Sequence, residues 1–212
     1  MLSELYSGSG DKQPTSRPYF VDLQPHANVR LDEDFGRNLN NNLGPLPAGR
    51  QKLAGFEYDV GNSFILLASH MVAHRPKEVT GIKVGRQINS LKVLHGTGWS
   101  SDYDGIEIGS FIVHYAGGTT EKIPIVYGVD VRDWWDFDQS SPVDRGKIVW
   151  RGDNAASHRI KGGILTLRLY ELSWTNPHPE RVIETIDYVS TNSSDCAPFL
   201  VAMTADERLK SD

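Results

Sequence analysis

Residues 127–150, YGVDVRDWWDFDQSSPVDRGKIVW, hold three of the chain's five tryptophans together with Asp130, Asp133, Asp136, Asp138 and Asp144. A large apolar side chain left in water forgoes roughly 1.5–3 kcal/mol of burial. Indoles set among carboxylates therefore either fold back into a core or form a platform for a ligand. Trp134 and Trp135 are adjacent, and neighbours on a strand point to opposite faces, which predicts one buried ring and one exposed ring. An exposed indole stacks on the apolar face of a sugar while a carboxylate such as Asp133 accepts hydrogen bonds from its hydroxyls. One flat apolar surface with a few polar groups is a small-ligand composition. A place in the core is the commoner fate of tryptophan, and the residues alone leave both readings open.

Two other segments carry similar chemistry. HGTGWSSDYDG (95–105) combines His95, Trp99, Asp102 and Asp104 with glycines and serines that let a loop approach a ligand closely. His95 taken alone reads as a strand-end residue tied to a backbone carbonyl. SWTNPHPE (173–180) presents Trp174, Asn176 and His178 on a turn stiffened by two prolines, the first of which keeps Asn176 out of the helical region. Such a turn displays side chains to a ligand or simply ends a strand. The candidate ligand-binding residues are thus Trp99, Asp102, Asp133, Trp134, Trp135, Trp174, Asn176 and His178, on loops 95–104, 128–140 and 174–178.

No catalytic residue is assigned. There is no G-x-S-x-G, and Cys196 lies in a polar stretch without an activating neighbour. His70 and His74 are four apart, but Pro76 and the strand-like run before them oppose a shared helical face. A glycosidase needs two opposed carboxylates, which only a fold can bring together. The aspartate spacing does not follow the EF-hand order, and Asp102-Tyr103-Asp104-Gly105 matches only a fragment of it. Calcium held by separate loops needs no contiguous motif, so a structural calcium stays open while no cofactor is named.

The formal net charge is −5, with Lys and Arg scattered along the chain, which argues against nucleic acid and anionic membrane as partners. The single cysteine rules out an internal disulfide. The first residues lack the charged and apolar regions of a secretory signal, and no apolar run approaches the ~20 residues that cross a bilayer. A cytoplasmic location is the expectation.

The elements that position these loops read as strands. LAGFEYDVG (53–61), SFILLAS (63–69), VTGIKV (79–84), INSLKVLHG (88–96), KIVW (147–150), GILTLRLYELSW (163–174), VIETIDYVS (182–190) and PFLVAMTA (198–205) are short β-like runs separated by turn residues. Gly117-Gly118 supplies the positive φ of a tight hairpin between two such runs in 109–128. Pro124 confines its strand to an edge or a bulge. FVDL (20–23) begins the series, and a Pro- and Gly-rich loop fills 40–49. About nine or ten strands at roughly ten-residue spacing predict an all-β antiparallel β-sandwich or jelly roll. Residues 1–18 read as a flexible leader or linker, 19–205 as one domain, and 206–212 as a tail.

Several phrases resemble a carbohydrate-binding-like β-sandwich module of the galactose-binding-domain type, found at the ends of bacterial multidomain proteins. They are LPAGRQKLAGFEYDVG, GIKVGRQINSLKVLHGTGW, GSFIVHYAGGTTEKIPIVYGVDVRDWW and YELSWTNPHPERVIETIDYVS, followed by APFLVAMTA, and they span about residues 19–205. The resemblance implies a jelly-roll sandwich with a binding or docking role. The leading expectation is a non-catalytic carbohydrate-binding-like module. The alternative is an intracellular protein–protein docking or scaffold domain of a larger bacterial assembly, its exposed Trp and Tyr serving as interface anchors.

Overall fold

The computed structural model describes residues 16–34, 40–137, 141–159, 163 and 165–209. Most of the leader expected over 1–18 lies outside them. The strands are β1 (Ser16–Phe20), β2 (Val29–Arg30), β3 (Gly49–Leu53), β4 (Phe56–Val60), β5 (Ser63–Leu66), β6 (Glu78–Gly98), β7 (Glu107–Tyr115), β8 (Thr120–Val126), β9 (Lys147–Gly152), β10 (Leu167–Thr175), β11 (Val182–Ser190) and β12 (Ala197–Arg208). All pair antiparallel, giving the all-β sandwich that the turn spacing predicts. No helix among the described residues is long and apolar enough to cross a membrane.

β6 organises the fold. Its first half pairs with β11, matching Ile82 with Ile186 and Gln87 with Val182. Its second half lies between β10, where His95 faces Tyr170, and β12, where Val93 faces Met203. One 21-residue strand therefore serves two layers. The first layer continues from β6 through β11 and β7 to β8, and the second runs from β9 through β10 and β6 to β12, which also carries β1 and β5. β8 ends its layer, as Pro124 requires, with that residue opposite Ser110 of β7.

One core lies between the layers, built by Ile82, Val84, Phe111, Val113, Ile125, Ile186 and Tyr188 against Leu172, Leu200 and Met203. A second core covers the other face of the second layer. There Leu94, Leu167, Leu169, Phe199 and Val201 meet Tyr58 and Val60 of β4, Leu43 and Leu46 of the 40–49 loop, and both Trp134 and Trp135. The run PFLVAMTA is apolar but for Thr204 for this reason: it is buried on both faces.

The sheet extends three residues past each end of the 19–205 span. Ser16 pairs with Arg208, and Arg17 donates to Glu207 at 2.6 Å. FVDL is correspondingly not a strand beyond Phe20. The β3–β4 hairpin turns through Ala54 and Gly55, at φ 48° and 97°, between the paired residues Leu53 and Phe56. A two-residue turn with both central residues at positive φ favours Asn-Gly, and Ala there bears a steric penalty. Ala54 is exposed. Ala54→Asn should therefore raise the denaturant unfolding free energy by about 1 kcal/mol; an unchanged or lower value would show that the turn is not strained.

Candidate functional site

The loop after β6 and the segment after β8 are zipped together. Thr97 bridges Asp133 in parallel, and Trp134 N donates to Thr97 O at 2.8 Å. Ser100 Oγ donates to Asp133 Oδ2 at 3.1 Å. Arg132 forks onto Asp104 at 2.9 and 2.6 Å. Loops 95–104 and 128–137 thus form one edge, as the sequence reading requires; Asp138 lies outside the described residues.

The third loop does not join them. β10 carries Trp135 beside Leu167 at one end and Trp174–Thr175 at the other, roughly 26 Å away at strand rise. There Asn176 is buried and used up structurally. Its Oδ1 accepts from Tyr115 OH at 2.6 Å and from His178 N at 2.9 Å, while its Nδ2 donates to Ile88 O at 2.8 Å. Trp174 is half-buried against the first core, and His178 is exposed with its ring edge-on to Tyr115. Asn176 terminates the strand and bolts the turn to the sandwich.

Trp134 and Trp135 correct the expectation of one ring in and one out: they are 2% and 7% exposed. The segment is not a regular strand. It crosses from a bridge with Thr97 to an antiparallel bridge with Leu167, so strict alternation does not apply. Trp134 meets Phe199 edge-on at 6.0 Å, and Trp135 Nε1 donates to Asn41 Oδ1 at 3.1 Å. Removing either ring would leave a core cavity costing about 3–5 kcal/mol.

The aspartates hold this cover in place. Asp130 takes both Arg145 Nε and Nη2, at 2.8 and 2.7 Å, and the amide of Val126 at 2.8 Å. Asp136, fully buried, receives guanidinium hydrogen bonds from Arg168 and Arg151. Among the described residues no group of three or more His, Cys, Asp or Glu side chains is arranged to hold a metal ion.

His95 departs from its expected backbone tie. It is fully buried between Tyr170 and Leu200, neither ring nitrogen has a partner among the described residues, and burial pushes its pKa down to about 4. A cavity of about 100 Å³ is lined by Ile123, Pro124, Asp130, Arg145, Leu172 and Ser173; none of the candidate residues lines it.

What remains at the edge is smaller and different from the set read in the sequence. Asp102 is exposed, and Trp99, at φ 61°, is half-buried against the second core. The exposed rings are Tyr103, 74% accessible, and Phe137, 63% accessible. Neither was singled out by sequence, where indoles drew the attention. No local signal separates them, since Trp134 and Trp135 are flanked by Asp133 and Asp136 in the same way and are buried.

Asp133 is the unusual carboxyl of the edge. Burial raises its pKa to about 6, against the smaller lowering effects of Trp135 N, Ser100 and Arg168. A folded pKa above the unfolded value means that ionisation is penalised only in the folded chain. Its cost is full above pH 6 and vanishes below about pH 4, on the order of 2–3 kcal/mol. Asp133→Asn retains an acceptor for Trp135 N and gains a donor for Ser100. The variant should be more stable than the parent at pH 7–8 and lose the parent's gain in stability between pH 7 and 4. Denaturant melts across that range with the same slope for both proteins would contradict this.

No protein-family model matches the chain, and no curated protein matches it.

Proposed function

We propose that this protein is a non-catalytic carbohydrate-binding-like module whose binding surface is the loop edge bearing Tyr103 and Phe137. The observation that carries the reading is the mounting of Phe137. Its ring is exposed yet stacked on the buried Trp135, with centroids 5.7 Å apart and planes 24° from parallel. An exposed aromatic held rigid by a buried one presents flat apolar area with little further ordering to do on binding. Sugar rings offer the complementary apolar face, and Asp102 supplies an acceptor for their hydroxyls. Of the indoles expected to form the platform, Trp135 acts in this reading as the support beneath it, and Trp134 packs on Phe199 in the core. The site works without a bound metal or cofactor.

Calorimetry guided by a glycan array tests the reading. Phe137→Ala and Tyr103→Ala should each weaken sugar binding about tenfold or more, with unfolding free energy within about 0.5 kcal/mol of the parent. EDTA should leave binding unchanged. Absence of binding to any sugar at millimolar concentration, or full affinity in both variants, would count against it. Exposed rings also anchor protein interfaces. A protein captured by the parent and lost by both variants, with no sugar bound, would transfer the site to the docking alternative.

A further inference from the structure

Residues 100–104 form a strap between two left-handed residues, Trp99 at φ 61° and Gly105 at φ 85°. Its ends are anchored: the Trp99 ring packs against the second core, and Gly105 N donates to Tyr127 O at 2.9 Å. Between these anchors it carries the exposed Asp102 and Tyr103. Two carboxylates tie it to the segment after β8. Asp104 takes the Arg132 fork and lies over Gly128, where a Cβ would come within 2.4 Å of Asp104 Cγ. Ser100 Oγ donates to Asp133 Oδ2 at 3.1 Å. The first tie is exposed at Asp104, and exposed pairs hold weakly. The second covers a buried carboxyl.

The charges around Asp133 do not compensate it. Arg168 of β10 pairs with the Asp136 carboxylate and reaches Asp133 at its backbone oxygen, through Nε at 2.9 Å. Arg132, the preceding residue, is forked onto Asp104. Cys196, just before β12, has its thiol pushed up to about 11, by burial first and in part by the Asp133 charge. His95, two residues before Thr97 on β6, stays neutral above about pH 4. An ionised Asp133 under the closed strap is therefore a buried charge, and opening supplies the water it lacks. We propose that residues 100–104 are a proton-gated strap, closed over Asp133 while its carboxyl is neutral and released when it ionises. This rests on the reading of the edge as the binding surface and names its regulation: Tyr103 rides on the strap, so sugar is held in acid and let go as the pH rises.

The closed carboxyl titrates at about 6, and a hydrated one at about 3.9. Closure is thus fully favoured below pH 4 and weakens as the pH rises through 6. The test is 15N relaxation dispersion at residues 100–104 from pH 4.5 to 7, with calorimetry against the strongest-binding oligosaccharide of a glycan array. In the parent the open population should rise about twentyfold over that range while sugar affinity falls. Asp133→Asn should keep the strap closed and the affinity level throughout. Ser100→Ala removes the tie but not the titrating group, and should show the strap open already at pH 4.5. An open population that does not change with pH in the parent, that rises equally in Asp133→Asn, or that Ser100→Ala leaves as in the parent overturns the strap; sugar binding in those proteins leaves the carbohydrate reading standing. A strap that opens with pH in a parent that binds no sugar supports the gating and overturns the carbohydrate reading.

Discussion

Loop backbone is expensive to bury, because its amides and carbonyls lack the ladder that satisfies them in a strand. Residues 133–136 are nevertheless buried as part of a core layer, and the interactions of Asp136 and Arg168 make that tolerable. Arg168 N donates to Trp134 O and Arg168 Nε to Asp133 O, while its guanidinium meets the Asp136 carboxylate. Asp136 N in turn donates to Thr166 O at 2.8 Å. One buried arginine thus satisfies two loop carbonyls and one buried charge. A buried ion pair contributes little net stability, but losing one partner costs several kcal/mol. The pair acts chiefly to specify where the loop lies.

The need for such a cover follows from β6. A strand that serves both layers leaves the second layer with an apolar face on each side, through Leu91 and Val93 on one and Leu94 on the other. The first layer covers the inner face. Among the described residues the outer face has a two-stranded hairpin and irregular segments to cover it, so large rings do the work that a third sheet would otherwise do. Tyr58 OH donating to Glu171 at 2.6 Å and Lys92 Nζ lying 4.1 Å over the Phe56 ring fasten the hairpin as Asp136 and Arg168 fasten the loop. Function, in the reading advanced above, sits where this cover ends and rings emerge.

Strand order within the chain, the hairpin at Gly117-Gly118, the edge position of Pro124 and the all-β class were legible because they follow from alternation and turn chemistry over a few residues. The stretch 127–150 was legible as one that sets large rings among carboxylates. The directions of its rings were not. Alternation predicts opposite faces only along a ladder, and the bridges from Asp133 to Thr97 and from Trp135 to Leu167 are long-range contacts with no local signature. Distance was equally hidden: Asn176 and Asp133 looked alike as polar residues near tryptophan, yet β10 separates them along its length. The start of β1 was missed because Ser16, Arg17 and Pro18 have little β character of their own and are held by β12.

Native-state hydrogen exchange at three amides tests the lid most directly. Trp134 N, Asp136 N and Arg168 N donate to Thr97 O, Thr166 O and Trp134 O, each at 2.8 Å. If the Asp136–Arg168 pair makes this loop part of the core, all three should exchange only through global unfolding, with the same free energy and denaturant dependence as amides in the middle of β6 and β12. Exchange of the three by local opening, fast and insensitive to denaturant while β6 and β12 stay protected, would show a surface loop resting on the sheet instead.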